Sequence, residues 1–153
     1  TDFISNTKVL SFSGVTVLET SYLSLKKAAF AIGMKHPVTG IGAGNFNNEL
    51  NSLKAMEAFP VKLPSYDPHS TYIGAFAETG VPGLIFLLLI LWLVLKPYFK
   101  FQHLLDDRFY LCIFILLVTF VIEGISIDMM NFRHLWVLFA VAFAYSRKRK
   151  FVA

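Results

Sequence analysis

Gly83–Leu95 reads GLIFLLLILWLVL, a run without one polar side chain, and it decides the fold class. Extended back to Ile73, the segment Ile73–Leu95 contains a single charge, Glu78, near its start. A bilayer core takes about 20 residues of helix, so this segment is expected to cross a membrane. Downstream, Phe109–Ile127 is long enough to do the same if Glu123, near its far end, faces protein or water. Leu135–Tyr145 is shorter. It reaches spanning length only if its helix begins near Met129, with Asn131, Arg133 and His134 in the outer turn. The expected class is an all-α polytopic membrane protein, with a helical extracytoplasmic loop at 1–72 and a membrane segment at 73–153. Its three transmembrane helices fall at about 73–95, 109–127 and 129–145, followed by a basic tail.

Composition agrees with a lipid environment. Of 153 residues, 56% are hydrophobic and 16% charged, and the mean hydropathy is +0.59. A soluble domain of this length cannot bury so much apolar surface. The lone Cys112 rules out a disulfide framework and any cysteine-based zinc site. A net charge of +4 would suit nucleic acid, but Arg147, Lys148, Arg149 and Lys150 carry that excess beside an apolar segment. The pattern is that of a cytoplasmic membrane flank, so the lipid bilayer is an expected partner and nucleic acid is not.

Lys96, Lys100 and Arg108 lie between the first two spans, and the four-residue basic cluster follows the third. Short loops rich in Lys and Arg stay in the cytoplasm, which puts 1–72 outside and the C-terminus inside. Residues 1–72 hold six lysines and five acids, the near-neutral balance of an outer loop. Thr1 begins the chain without Met or a signal-peptide pattern, so a fragment of a longer chain is expected.

Within the loop, Ser21–His36 reads as a helix with Tyr22, Leu25, Ala29 and Ile32 on one face, stopped by Pro37. Its Lys26, Lys27 and Lys35 suit either anionic headgroups or the surface of a packed helix. The stretch Gly40-Ile41-Gly42-Ala43-Gly44 follows, and Asn45 then caps a second short helix carrying Phe46, Leu50, Leu53 and Met56. Phe59–Pro68, with Pro60, Pro64 and Pro68, is a stiff connector. Gly40, Gly42 and Gly44 lack the strand, the complete G-x-G-x-x-G and the following acid of a dinucleotide site, so a structural turn where two helices meet is the better interpretation.

Ser65–Tyr72 (SYDPHSTY) is the stretch richest in chemistry. Asp67 as N-cap and Pro68 at N1 would start the first span there and make His69 N2. Free N–H groups and the helix dipole would then offer an anion site beside a neutral imidazole fit for a general base. An interfacial histidine bonded to water is the plainer alternative. Glu123, Asp128, Asn131, Arg133 and His134 gather near the outer ends of the last two spans, where Arg133 is able to hold a phosphate or merely to snorkel.

Pro37-x-x-Gly40-x-Gly42-x-Gly44-Asn45-Phe46, then His69-x-x-Tyr72-Ile73, then Glu78-Thr79-Gly80-x-x-Gly83-Leu84 resembles the C-terminal half of the O-antigen ligase and O-antigen polymerase family, from about Tyr22 to the end. The resemblance implies a polytopic bacterial inner-membrane enzyme with a periplasmic loop. Such enzymes transfer glycan from an undecaprenyl-pyrophosphate-linked donor to a sugar hydroxyl, on a glycan or lipid A-core acceptor, without metal or cofactor. It implies His69 as the functional histidine. Tyr72, Lys26, Lys27 and Arg133 are the candidate substrate-binding residues, and Gly40, Gly42 and Gly44 the structural turn. The family often has Asn where Ser70 stands, and commonly has an Arg near the position of Tyr22, whereas residues 1–72 contain no Arg. The competing expectation is a non-catalytic membrane subunit or transporter piece with a glycan- or partner-binding loop.

Overall fold

The computed structural model describes residues 10–12, 15–17, 21–55, 67–99 and 106–152; most of the proline-rich connector, and His103, fall outside them. The plan is helical, with a small antiparallel hairpin added at its start: β1 (Leu10–Phe12) pairs with β2 (Val15–Val17), Leu10 opposite Val17 and Phe12 opposite Val15. Two loop helices follow, α1 (Ser21–Lys35) and α2 (Phe46–Ala55). Leu25, Ala29 and Ile32 of α1 are buried with Phe46 and Leu50 of α2 against Ala77. Burying a Leu or Ile completely contributes about 1.5–3 kcal/mol, so this small core is what fixes the loop on the helix that follows it.

That helix, α3 (Thr71–Leu95), starts later than Asp67 and Pro68 suggest. Its N-cap is Ser70, extended at φ −164°, whose hydroxyl accepts from the Ile73 N–H. His69 sits in the left-handed region at φ 49°. It is therefore outside the helix and not at N2, a consequence of the serine's better-placed oxygen taking the cap.

α3 is also broken. Gly80 has φ 71° and ψ −170°, which divides the helix into Thr71–Thr79 and Val81–Leu95. Pro82 explains the place: it has no N–H for the Glu78 carbonyl and its ring would clash with that carbonyl in a continuous helix. With the break at Gly80, Pro82 falls in the first turn of the lower segment, where a missing N–H costs nothing.

The first span continues into a 3₁₀ turn at Lys96–Phe99. Among the described residues, Thr71–Phe99 alone is long and apolar enough to cross a bilayer. The helices at the other two expected spans have different limits, and among the described residues neither meets the length and apolarity of a crossing by itself. α4 runs Arg108–Glu123, about 24 Å of helix, and ends where Gly124 begins a loop, short of Ile127. α5 runs Arg133–Val152, four residues later than Met129, and continues through the basic cluster. The reason is the 124–132 loop: it folds back to bond the start of α3 and so cannot be helix.

α3, α4 and α5 run alternately up and down. At one end the Tyr98 hydroxyl donates to the Ala142 carbonyl (2.7 Å), that of Tyr110 to the Pro97 carbonyl, and that of Tyr145 to Asp107 Oδ2 (2.6 Å). Asp107 also caps α4 by accepting from Phe109 and Tyr110 N–H. Lys96, Arg108, Arg147 and Lys148 therefore share this end. Ile85, Phe86, Leu89, Trp92 and Leu93 of α3 and Ile115 and Leu116 of α4 are exposed, an apolar surface suited to lipid or further helices.

Candidate functional site

The site is built at the other end, where α3 begins. Ser70, Thr71 and Tyr72 all turn toward α4 and its following loop. Ser70 Oγ donates to the Gly124 carbonyl (3.3 Å) and Thr71 Oγ1 to that of Ile127 (3.0 Å). The Thr71 N–H bonds the same two carbonyls at 2.9 and 3.3 Å, and Met129 N–H donates to Thr71 Oγ1 at 2.8 Å. The Tyr72 hydroxyl donates to the Val121 carbonyl (2.7 Å), which engages it in the α3–α4 contact. These bonds correct the anion-site expectation: the N–H groups of Thr71 and Ile73 are already taken by protein oxygens, so the start of α3 is not an open phosphate cradle.

His69 faces the loop. Its ring lies 4.4 Å from that of Tyr22 in α1, nearly perpendicular at 72°. Nε2 is shielded from solvent although the residue is only half-buried. A non-glycine residue at positive φ is uncommon and is tolerated where the surroundings impose it. Lys26, half-buried, stands one turn after Tyr22 and on the same side of α1, and Lys27 beside it is exposed. Arg133 is exposed at the start of α5, past a loop ordered by Asp128, which accepts from the Met130 N–H and the Asn131 amide. His134 lies against the rings of Phe120 and Phe132.

The glycine turn has a specific partner. Gly40, Gly42 and Gly44 take φ of 63°, 92° and 76°, and the turn docks on the break in α3. Ala77 and Glu78, whose carbonyls lose their helical donors at the break, accept instead from Ile41 N–H (3.1 Å) and Gly42 N–H (2.8 Å). The Val81 N–H, freed in turn, donates to the Pro37 carbonyl (2.7 Å). A Cβ on Gly40 would lie 2.3 Å from the Glu78 carbonyl group, and one on Gly80 would lie 2.5 Å from the Val38 carbonyl oxygen. Two glycine-dependent breaks thus close on each other, backbone to backbone.

The two halves of this latch are the motifs on which the family resemblance was drawn, and a family model described as O-antigen ligase matches residues 16–88. Residues 16–88 are thus similar to the O-antigen ligase family. The O-antigen ligase segment takes in α1, α2, the latch, His69 and the upper part of the apolar run, and it brings ligase- or polymerase-type glycan transfer in a membrane as the chain's coarse assignment. No curated protein and no solved structure matches the chain.

Beside the latch a groove of about 620 Å³ runs down α3. Asp67, Glu78, Thr79, Asp128 and Asn131 line its polar end, and Phe86, Leu87 and Ile90 its apolar continuation. Sequence reasoning missed this convergence, since the three acids are separated by up to 61 positions (128 − 67) and only the returning 124–132 loop joins them. It also gave Tyr22 no role beyond an apolar helix face.

Proposed function

We propose that the chain forms part of an inner-membrane enzyme that transfers glycan from an undecaprenyl-pyrophosphate carrier to a sugar hydroxyl on the periplasmic face, without a metal. The supporting observation is that one family segment contains the latch, the loop core and a histidine held at positive φ against α1. In this mechanism the acceptor hydroxyl attacks the anomeric carbon of the donor. The new C–O bond forms as the bond to the pyrophosphate oxygen breaks, and the hydroxyl proton passes to His69. The leaving pyrophosphate takes its charge stabilisation from cations, with Lys26 and Lys27 of α1 and Arg133 of α5 as candidates. Lysines provide charge without the bidentate fork of arginine.

The groove suits the acceptor. Carboxylates at Asp67, Glu78 and Asp128 repel a pyrophosphate and accept hydrogen bonds from sugar hydroxyls. All three membrane helices lie in the bilayer in this proposal, with the end bearing Lys96, Arg108, Arg147 and Lys148 in the cytoplasm.

The test is transfer by the intact protein in proteoliposomes supplied with a lipid-linked glycan. His69→Ala should lower the rate by about 10² to 10⁴ with normal accumulation, because His69 lies outside the helix and its removal leaves the Ser70 cap in place. Near-normal transfer by that variant would return the site to a purely structural role and favour a non-catalytic subunit.

A further inference from the structure

We propose that Tyr22 is the positioning residue for His69: its ring holds the imidazole in the orientation that the acceptor proton requires. This inference rests on the assignment of His69 as the general base. Three observations carry it. First, His69 lies one residue before the Ser70 cap with φ 49°, so no helical neighbours restrict its side chain as they would inside α3.

Second, the ring packed on it is that of Tyr22, with centroids 4.4 Å apart and planes at 72°. Edge-to-face contact at this distance fixes both the position and the tilt of an imidazole, where an aliphatic side chain would fix position alone. Third, Tyr22 stands on a fixed base. It occupies the first turn of α1, and Leu25, Ala29 and Ile32 of that helix are 0–1% exposed in the loop core with Ala77 of α3. Tyr22 itself is 53% exposed, far more than core packing needs, so the residue contributes little to the stability of that core. The same cluster that packs α1 on α3 therefore sets where the tyrosine ring meets the histidine.

The chemistry explains why a held ring matters. A general base works only within hydrogen-bond reach of the proton, and a displacement of about 1 Å can cost on the order of 10² in rate. His69 Nε2 is shielded in this arrangement, so the orientation of the imidazole decides which part of it a hydroxyl meets.

The experiment measures kcat and KM for the lipid-linked donor with the intact protein in proteoliposomes, using Tyr22→Phe, Tyr22→Leu, His69→Gln and the Tyr22→Leu/His69→Gln double variant. Tyr22→Phe keeps the ring and should stay within about twofold of the parent. Tyr22→Leu should lower kcat by about tenfold or more while KM changes by less than about twofold. In the His69→Gln background the same change should cost nothing further, because a residue acting through His69 has nothing left to position.

A tenfold loss that persists in that background would overturn the proposal and make Tyr22 a residue that acts on its own. So would a Tyr22→Leu variant with unchanged kcat, or one in which only KM rises. Should Tyr22→Leu fail to accumulate, Tyr22→Met is read in its place, and failure of both would overturn the proposal by making the ring a folding element. Near-normal transfer by His69→Gln would instead overturn the assignment of the base, whatever the Tyr22 variants do.

Discussion

Replacing Gly40 by alanine should unfasten the glycine turn from α3, and Gly44 provides the control. Both residues have left-handed backbone, φ 63° and 76°, so alanine at either costs about 1–2 kcal/mol in backbone strain. At Gly44 that is the whole effect, since an added Cβ meets nothing within 4 Å. At Gly40 the Cβ would lie 2.3 Å from the carbonyl carbon and oxygen of Glu78 and 2.4 Å from Thr79 N. These are backbone atoms that cannot swing aside, and relief requires the turn to withdraw by about 1 Å or more to reach ordinary contact. The bonds from Ile41 and Gly42 to Ala77 and Glu78, at 3.1 and 2.8 Å, would both be lost. Left unsatisfied, the two carbonyls cost about 1–3 kcal/mol each, and with the strain included the total comes to about 3–8 kcal/mol. That is a large share of the about 5–15 kcal/mol that holds a domain folded. Heating the detergent-solubilised, fluorescently tagged protein and following the monodisperse fraction should give Gly44→Ala a midpoint lower by about 2–8 °C, and Gly40→Ala one lower by about 10 °C or more. Equal midpoints for the two variants would mean that the turn does not press on α3 as described.

Ser70→Ala removes the cap of α3 and a bond to the Gly124 carbonyl; a loss of about 0.5–2 kcal/mol is expected in the same thermal assay, with Ser70→Thr close to the parent. With native Cys112 replaced by serine, a cysteine at Asn47 should react with an impermeant maleimide on spheroplasts and one at Lys148 only after permeabilisation; the reverse order would invert the topology. Glycan transfer by the intact protein should survive EDTA, and loss of transfer that a divalent ion restores would make the reaction metal-dependent.

The first span was legible because nothing interrupts Gly83–Leu95, and α1 because its apolar spacing and Pro37 leave little choice. The start of α3 differs from the expected one because Asp67 and Ser70 offer two good caps three residues apart, and only the bonds from Ser70 and Thr71 to Gly124 and Ile127 decide between them. The break at Gly80 was written in the sequence: a glycine able to take positive φ followed two residues later by proline is a helix-stop signal, masked here by the apolar run beyond it. The ends of α4 and α5 depend on where the 124–132 loop returns, and the pairing of Tyr22 with His69 spans 47 positions (69 − 22); no local pattern reports either.

The latch also imposes an order on biosynthesis. A ribosome makes the Pro37–Gly42 turn before it makes Ala77–Val81, and the polar backbone exposed by the break in α3 has no other described partner for the two carbonyls and the Val81 N–H. Hydrocarbon will not accept such groups unsatisfied. With α3 placed in the bilayer as proposed above, the turn is ready when the helix arrives and would act as a depth gauge, holding the break at the membrane surface with the apolar run below it.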